Sequence, residues 1–187
     1  MYNFCRLGIA TGMRIAELMG LSWENVDFDT GYIYVKRALA HIKRGGWDFT
    51  SPKSEAGERK IPMTAEIRAI LEDAHTDYTQ RPIAKDKRFR NLVFFHEGRS
   101  GLPVDGSTYD AKIQRVCKRA GIAPFTAHAM RHTFITDCYN AGVDVKVIQR
   151  IAGHSSISTT MDVYVETTSD MVDSEIQKLI EYKTKTA

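Results

Sequence analysis

Gly121, Gly142 and Gly153 cut the second half of the chain into helix-length pieces, and this punctuation constrains the fold more than any other feature. A glycine just past a helical stretch takes up the left-handed turn that ends it. One helix is therefore expected over about 107–120. A second runs from near Thr126 to Gly142, and a third from an Asp144 cap to Gly153. Ser155 caps a further segment leading towards Tyr164, and a last helix spans about Ser169 to Tyr182. The front of the chain adds an apolar helix that ends in the T-G-M-R turn at Gly12, then a short helix with Ile15, Leu18 and Met19 at core spacing. Thr64 caps a helix over Glu66 to Tyr78, which carries Ile67, Ile70, Leu71 and Ala74 at helical period. Between these helices, Tyr32–Val35 is β-branched and aromatic, as strands are. Weaker strand signals lie at Trp47–Thr50 and Arg59–Ile61, with turns at Ser51-Pro52 and Gly57, and Leu92–Phe95 reads as a short apolar strand. The expected fold is mainly α with a small antiparallel β-sheet of about three strands near the front.

A chain of 187 residues suits one large domain, and 43% hydrophobic with 26% charged residues is the balance of a globular protein. No apolar run approaches the roughly 18–20 residues of a membrane span. The start, MYNFCRLGIATGMR, lacks the parts of a secretory signal. The three cysteines, Cys5, Cys117 and Cys138, are odd in number and have no C-x-x-C spacing. This argues against disulfides and zinc and fits a reducing cytoplasm. The six histidines form no H-E-x-x-H or comparable metal spacing. A net charge of +3 is mild, but basic residues cluster at Lys36-Arg37, Lys43-Arg44, Arg59-Lys60, Lys85–Arg90 and Arg115–Arg119. A nucleic-acid partner needs such charge gathered on one face.

Three pieces carry chemistry. In H-A-M-R-H, His128 and Arg131 stand three residues apart, so on a helix they share a face at roughly 60°. That face offers a guanidinium fork matched to two phosphate oxygens beside an imidazole able to move a proton. His154 follows Gly153 where a helix stops, which leaves its side chain free to project. Tyr164 lies in M-D-V-Y-V-E between apolar residues. Taken singly, His128 and Arg131 also fit a surface near a helix start, His154 reads first as a polar cap at a helix end, and Tyr164 as a half-buried core residue with its hydroxyl at the surface. Their order and spacing are what set them apart.

A-T-G-M-R-I-A-E-L, H-A-M-R-H-T-F, I-Q-R-I-A-G-H-S-S-I-S-T-T and M-D-V-Y together resemble the tyrosine recombinase (phage integrase) family, most closely the integrases of phages and conjugative transposons. The resemblance runs from about residue 2 to 168. It implies that Arg14 is the first catalytic arginine, in the T-G-x-R turn. His128 and Arg131 match the H-x-x-R pair, His154 the G-H histidine, and Tyr164 the nucleophile. S-P-K-S-E-A-G-E-R-K-I-P fits the family's K-T-x-x-S-x-R-x-I-P pattern, with Ser54 and Gly57 where threonine and serine are usual. The fit selects Lys53 as the catalytic lysine, with Lys60 as the nearby alternative. Arg59, Lys60, Lys43 and Arg44 are expected DNA-phosphate contacts. Glu17, one turn after Arg14, is expected to orient that arginine through a buried ion pair.

By this resemblance the chain is a catalytic domain over 1–187, entered without the N-terminal core-binding and arm-binding domains of full-length relatives. Residues 169–187 form a C-terminal helical tail. The implied activity is cleavage and rejoining of DNA through a 3′-phosphotyrosyl intermediate, for integration or excision of a mobile element, with no metal, ATP or other cofactor. The implied partner is a double-stranded DNA attachment or core site. Full-length relatives assemble as a tetramer on DNA, whereas this span alone is expected to be a monomer that binds DNA weakly and salt-sensitively. The alternatives are strand nicking and rejoining like that of a type IB topoisomerase, or a catalytically silent DNA-binding regulator. The expected location is the cytoplasm, with no membrane association.

Overall fold

A computed structural model describes residues 1–42, 46–51, 57–80, 84–95 and 106–161, together with Pro103 and Thr184. Its helices are α1 (Tyr2–Thr11), α2 (Ile15–Gly20), α3 (Ala65–Gln80), α4 (Gly106–Ala120), α5 (Ala127–Asn140) and α6 (Val145–Ala152). The strands are β1 (Val26–Asp27), β2 (Tyr32–Val35), β3 (Ala38–Ile42), β4 (Gly46–Thr50) and β5 (Arg59–Pro62). The helix starts and stops follow the sequence signals closely. Asp144 accepts from the Lys146 amide, Thr64 accepts from the Ile67 amide, and Gly153 ends α6 at φ 72°. At the start of α5, Thr126 makes no side-chain cap, and Asp110 of α4 accepts the Ala127 N–H instead, at 2.8 Å.

The sheet is more divided than the sequence suggests. β1, β2 and β5 form one antiparallel sheet in that order, while β3 and β4 form a separate antiparallel hairpin. β2 pairs with β5 from Tyr32↔Pro62 to Val35↔Arg59, which turns Ile33, Val35 and Ile61 into the core. β4 pairs instead with β3, from Ala38↔Thr50 to Ile42↔Gly46, so the 47–50 strand lies outside the sheet formed by the other two expected strands. Ala38–Ile42 carries little β-branched or aromatic signal, and its pairing comes from packing. Leu39 is buried against α2, where Gly20 lets the backbones close: a Cβ there would stand 3.0 Å from the Leu39 amide nitrogen.

Leu92–Phe95 does not form the expected strand. It makes an isolated bridge, Ser22↔Leu92, and an amide-to-carbonyl bond from Val93 to Leu21 at 2.9 Å. Its apolar run reflects burial of Leu92, Val93 and Phe94 in an irregular segment, a case that hydrophobicity alone does not separate from a strand.

One core unites α1, α3, α4, the first turn of α5 and the inner faces of both sheets. Phe4 of α1 is fully buried, stacked on Tyr109 at 3.6 Å and meeting Phe94 edge-on at 5.2 Å. Side chains buried this completely contribute about 1.5–3 kcal/mol each. A smaller cluster of Ile135, Ile148 and Ala152 holds α6 on α5. Through α1 and α5 the first and last helices of the core share one wall, and β5 lies against α6. The front and back of the chain therefore meet.

Candidate functional site

The site begins at the turn after α1. Gly12 closes the helix at φ 61°, and a Cβ there would fall 2.3 Å from the Phe134 ring of α5. Only glycine fits that backbone and that contact. Arg14 follows in extended conformation as the cap of α2. Three residues on, Glu17 reaches back to accept the Arg14 backbone N–H on Oε2 at 2.8 Å and its Nη1 on Oε1 at 2.9 Å. A glutamate at this position of a helix start is one half of a capping box.

Glu17 has a second partner that sequence spacing does not reveal. Arg59 of β5 donates to both carboxylate oxygens, Nη2 to Oε2 at 2.8 Å and Nη1 to Oε1 at 3.0 Å. The carboxylate thus accepts four N–H groups, filling its acceptor capacity. Burial would push the Glu17 carboxyl up, but the hydrogen bonds and charges of Arg59 and Arg14 outweigh it and hold the group below its ordinary range. The Arg59 side chain is 3% exposed, and it also donates to the carbonyls of Ile151 and Gly57. Its guanidinium is therefore a buried strut between Glu17 and α6. Lys60, next on the strand, turns the other way and lies 4.5 Å over the Tyr32 ring, on the face away from Arg59.

The remaining arginines are held by main-chain carbonyls at helix ends. Arg14 Nη2 donates to Gly153 O at 2.6 Å, just past α6, and Arg131 Nη1 donates to Gly12 O at 2.7 Å, just past α1. Helix C-termini carry partial negative charge, so cations are favoured there. Arg131 is 3% exposed, yet its Nη2 is buried with no hydrogen-bond partner among the described residues. Burial, then the charge of Arg14, lowers its pKa to about 10, which leaves it protonated at neutral pH. Three guanidiniums therefore gather around a single carboxylate, two of them bonded to it and Arg131 within its electrostatic reach. An unsatisfied buried donor amid excess positive charge is a site built for an anion.

Two histidine environments flank the arginines. His154 is 7% exposed, and its Nδ1 lies 2.8 Å from the hydroxyl of Thr160, which is 2% exposed. Burial, then the charges of Arg131, Arg14 and Arg59, lowers its pKa to about 4, so the ring is neutral at physiological pH. His128 is exposed at the first turn of α5, and its Nε2 lies 2.8 Å from Nε2 of His132 one turn on. Partial burial, then His132 and Arg131, pushes the His128 pKa below the usual imidazole value.

Arg14, Glu17, Arg59, Arg131 and His154 thus converge in space, with His128 on the same helix as Arg131. Lys53, Lys43, Arg44 and Tyr164 lie outside the described residues, as does the 169–187 tail apart from Thr184. Sequence reasoning did not find Thr160, the His132 contact, or the carbonyls of Gly12, Ile151 and Gly153. Thr160 carried a weak signal, sitting in S-I-S-T-T one helical turn into the segment that follows His154.

A profile of the phage integrase family matches residues 1–171. The chain is 26% identical over 184 residues to the transposase from transposon Tn916 of Enterococcus faecalis, covering 95% of this chain and 45% of that protein. It is 32% identical over 176 residues to the tyrosine recombinase XerA of Thermococcus kodakarensis, covering 91% of this chain and 52% of that one. In three dimensions it resembles the Tn1549 transposon integrase in complex with transposon right end DNA, with a TM-score of 0.81 at 31% identity over 96% of this chain and 58% of that one. Against the crystal structure of XerA recombinase the TM-score is 0.66 at 25% identity, over 94% of this chain and 55% of that one. The chain spans about half the length of the curated relatives it matches.

Proposed function

The chain belongs to the phage integrase family, and on that premise we propose that it is the catalytic domain of a site-specific recombinase that integrates and excises a mobile element. The observation that carries this reading is the buried Nη2 of Arg131, without a hydrogen-bond partner among the described residues, beside Arg14 and Arg59, which share the one carboxylate of Glu17. A scissile phosphate supplies the missing acceptor.

In this reading the Tyr164 oxygen attacks the phosphorus of a DNA phosphodiester. The P–O5′ bond breaks as the phosphotyrosyl bond forms, leaving a 3′-phosphotyrosyl link and a free 5′-hydroxyl. Arg14 and Arg131 bind the non-bridging oxygens and stabilise the charge that builds in the transition state. His128, neutral at working pH because its pKa is depressed, takes the phenol proton. Lys53 gives a proton to the leaving 5′-oxygen, and His154 donates a hydrogen bond to the phosphate. A 5′-hydroxyl from a partner strand then attacks the phosphotyrosine and reverses the chemistry. The phosphoester is conserved throughout, so the reaction calls on neither ATP nor a metal. The partner is a double-stranded attachment site, a reading supported by the DNA-bound Tn1549 relative. In the full-length protein four copies assemble on it, and the work is done in the cytoplasm.

The test is a nicked suicide substrate, which traps the covalent intermediate because the short leaving strand diffuses away. Wild-type chain should accumulate a protein–DNA adduct on the peptide containing Tyr164, and Tyr164→Phe should form none. An adduct of normal yield in the variant refutes the nucleophile assignment.

A further inference from the structure

His154 and Thr160 lie six residues apart and are both buried, which makes the bond between them a matter of proton accounting. A neutral imidazole carries one N–H, and either ring nitrogen can hold it. Nδ1 lies 2.8 Å from the Thr160 hydroxyl oxygen, so one of the two groups donates and the other accepts. If Nδ1 carried the proton, Thr160 would accept it, and its own hydroxyl hydrogen would need an acceptor elsewhere. At 2% exposure Thr160 has little water to turn to, and among the described residues Nδ1 is the hydroxyl's only hydrogen-bond partner. A buried hydroxyl hydrogen left without an acceptor is the arrangement that folded proteins avoid. Among the described residues, the bond is satisfied at both ends only when Thr160 donates and Nδ1 accepts.

We propose that Thr160 is a positioning residue that fixes the tautomer of His154: its hydroxyl donates to Nδ1, so the ring's single proton sits on Nε2, the nitrogen free to meet a bound anion. The local fold is suited to holding it there. The His154 backbone is pinned on both sides by Gln149, whose carbonyl accepts the His154 N–H at 3.0 Å and whose amide donates to the His154 carbonyl at 3.2 Å. Thr160 rides on a helical turn that begins at Ile157, where the Ser156 hydroxyl accepts the Ser158 N–H. The ring stays neutral beside Arg131, Arg14 and Arg59, so its contribution to an anion is a directed dipole with the proton outward. The opposite tautomer would present a lone pair to the phosphate and repel it. The consequence for catalysis rests on the recombinase reading above, whereas the tautomer itself does not.

The tautomer is read directly by two-bond proton–nitrogen correlation of the imidazole rings in uniformly nitrogen-15-labelled chain, at neutral pH and without DNA. His154 should show its proton on Nε2 and an unprotonated Nδ1. A proton on Nδ1 in the wild type overturns the proposal, whatever the chain does to DNA. Thr160→Val, which keeps the shape and removes the hydroxyl, should shift His154 towards the other tautomer and slow single-turnover adduct formation roughly 10- to 100-fold. That is at or below the cost of losing a transition-state donor outright. Thr160→Ser should restore both the nitrogen pattern and the rate to within a few-fold of wild type. If Thr160→Val leaves the pattern and the rate unchanged, Thr160 does not set the tautomer. Failure of the wild-type chain to form any adduct would count against the recombinase reading and leave the spectroscopic result standing.

Discussion

Arg14 and Gly153, 139 positions apart in the chain, meet through a hydrogen bond of 2.6 Å from the guanidinium Nη2 to the main-chain carbonyl. The bond joins the turn after the first helix to the turn after α6, where His154 begins. The site therefore depends on backbone turns as much as on charged side chains, and substitutions at either should be felt in both halves.

Gly12→Ala is the sharpest test of the turn. The left-handed backbone and the Phe134 ring 2.3 Å from a new Cβ both oppose it, at a combined cost of about 2 kcal/mol or more. Thermal unfolding should drop by about 4 °C or more. Adduct formation should fall further than stability does, because the Gly12 carbonyl holds Arg131. A variant with wild-type melting and wild-type cleavage contradicts this role.

Glu17→Ala leaves Arg59 buried beside Arg14 without its carboxylate. Breaking a buried ion pair in this way costs about 3–5 kcal/mol. A urea titration should show the loss, and Arg59→Ala added to Glu17→Ala should cost less than the sum of the two single changes. Strict additivity would mean that the two residues do not act as a pair.

Arg131→Ala should lower the rate of adduct formation by about 100- to 1,000-fold. Arg131→Lys should recover only part of it, since an ammonium lacks the fork that reaches both Gly12 O and a phosphate oxygen. Cleavage within a few-fold of wild type in the alanine variant would remove Arg131 from the phosphate clamp.

Acid should weaken the fold, and among the groups responsible are His154 and Glu17. The folded-state pKa of His154, about 4, lies below its ordinary 6.5. Between those values the unfolded chain binds a proton that the folded chain refuses, so stability falls as pH drops through that window. Glu17 is depressed from 4.5; its contribution is complete above that value and is lost as pH falls through the lowered folded pKa. Denaturation midpoints at stepped pH should therefore decline from about pH 6.5 downward, and His154→Gln should flatten the upper part of the decline. A midpoint constant between pH 7 and 4 would contradict the His154 assignment.

Much of this arrangement is local and could be read from the chain. His128 and Arg131 share a face by helical period, Glu17 sits one turn from Arg14, and Gly153 frees His154 to project. What could not be read is what long-range packing decides. Nothing in the spacing of Glu17 and Arg59 announces their pairing, which arises because β5 lies against both α2's acid and α6's last turn. Ala38–Ile42 became a strand through contact with α2, and Leu92–Phe95 proved apolar for burial alone. Thr160 reaches His154 only because a new helical turn starts at Ile157 and folds the chain back.

The carbonyls that hold the arginines belong to Gly12, Gly57, Ile151 and Gly153. A main-chain oxygen survives almost any substitution of its own residue, so the address of each guanidinium is written in the path of the backbone. Such a site tolerates wide drift in the surrounding side chains provided the two left-handed turns remain. A relative sharing only 31% of its residues with this chain, the Tn1549 integrase, still matches its fold with a TM-score of 0.81.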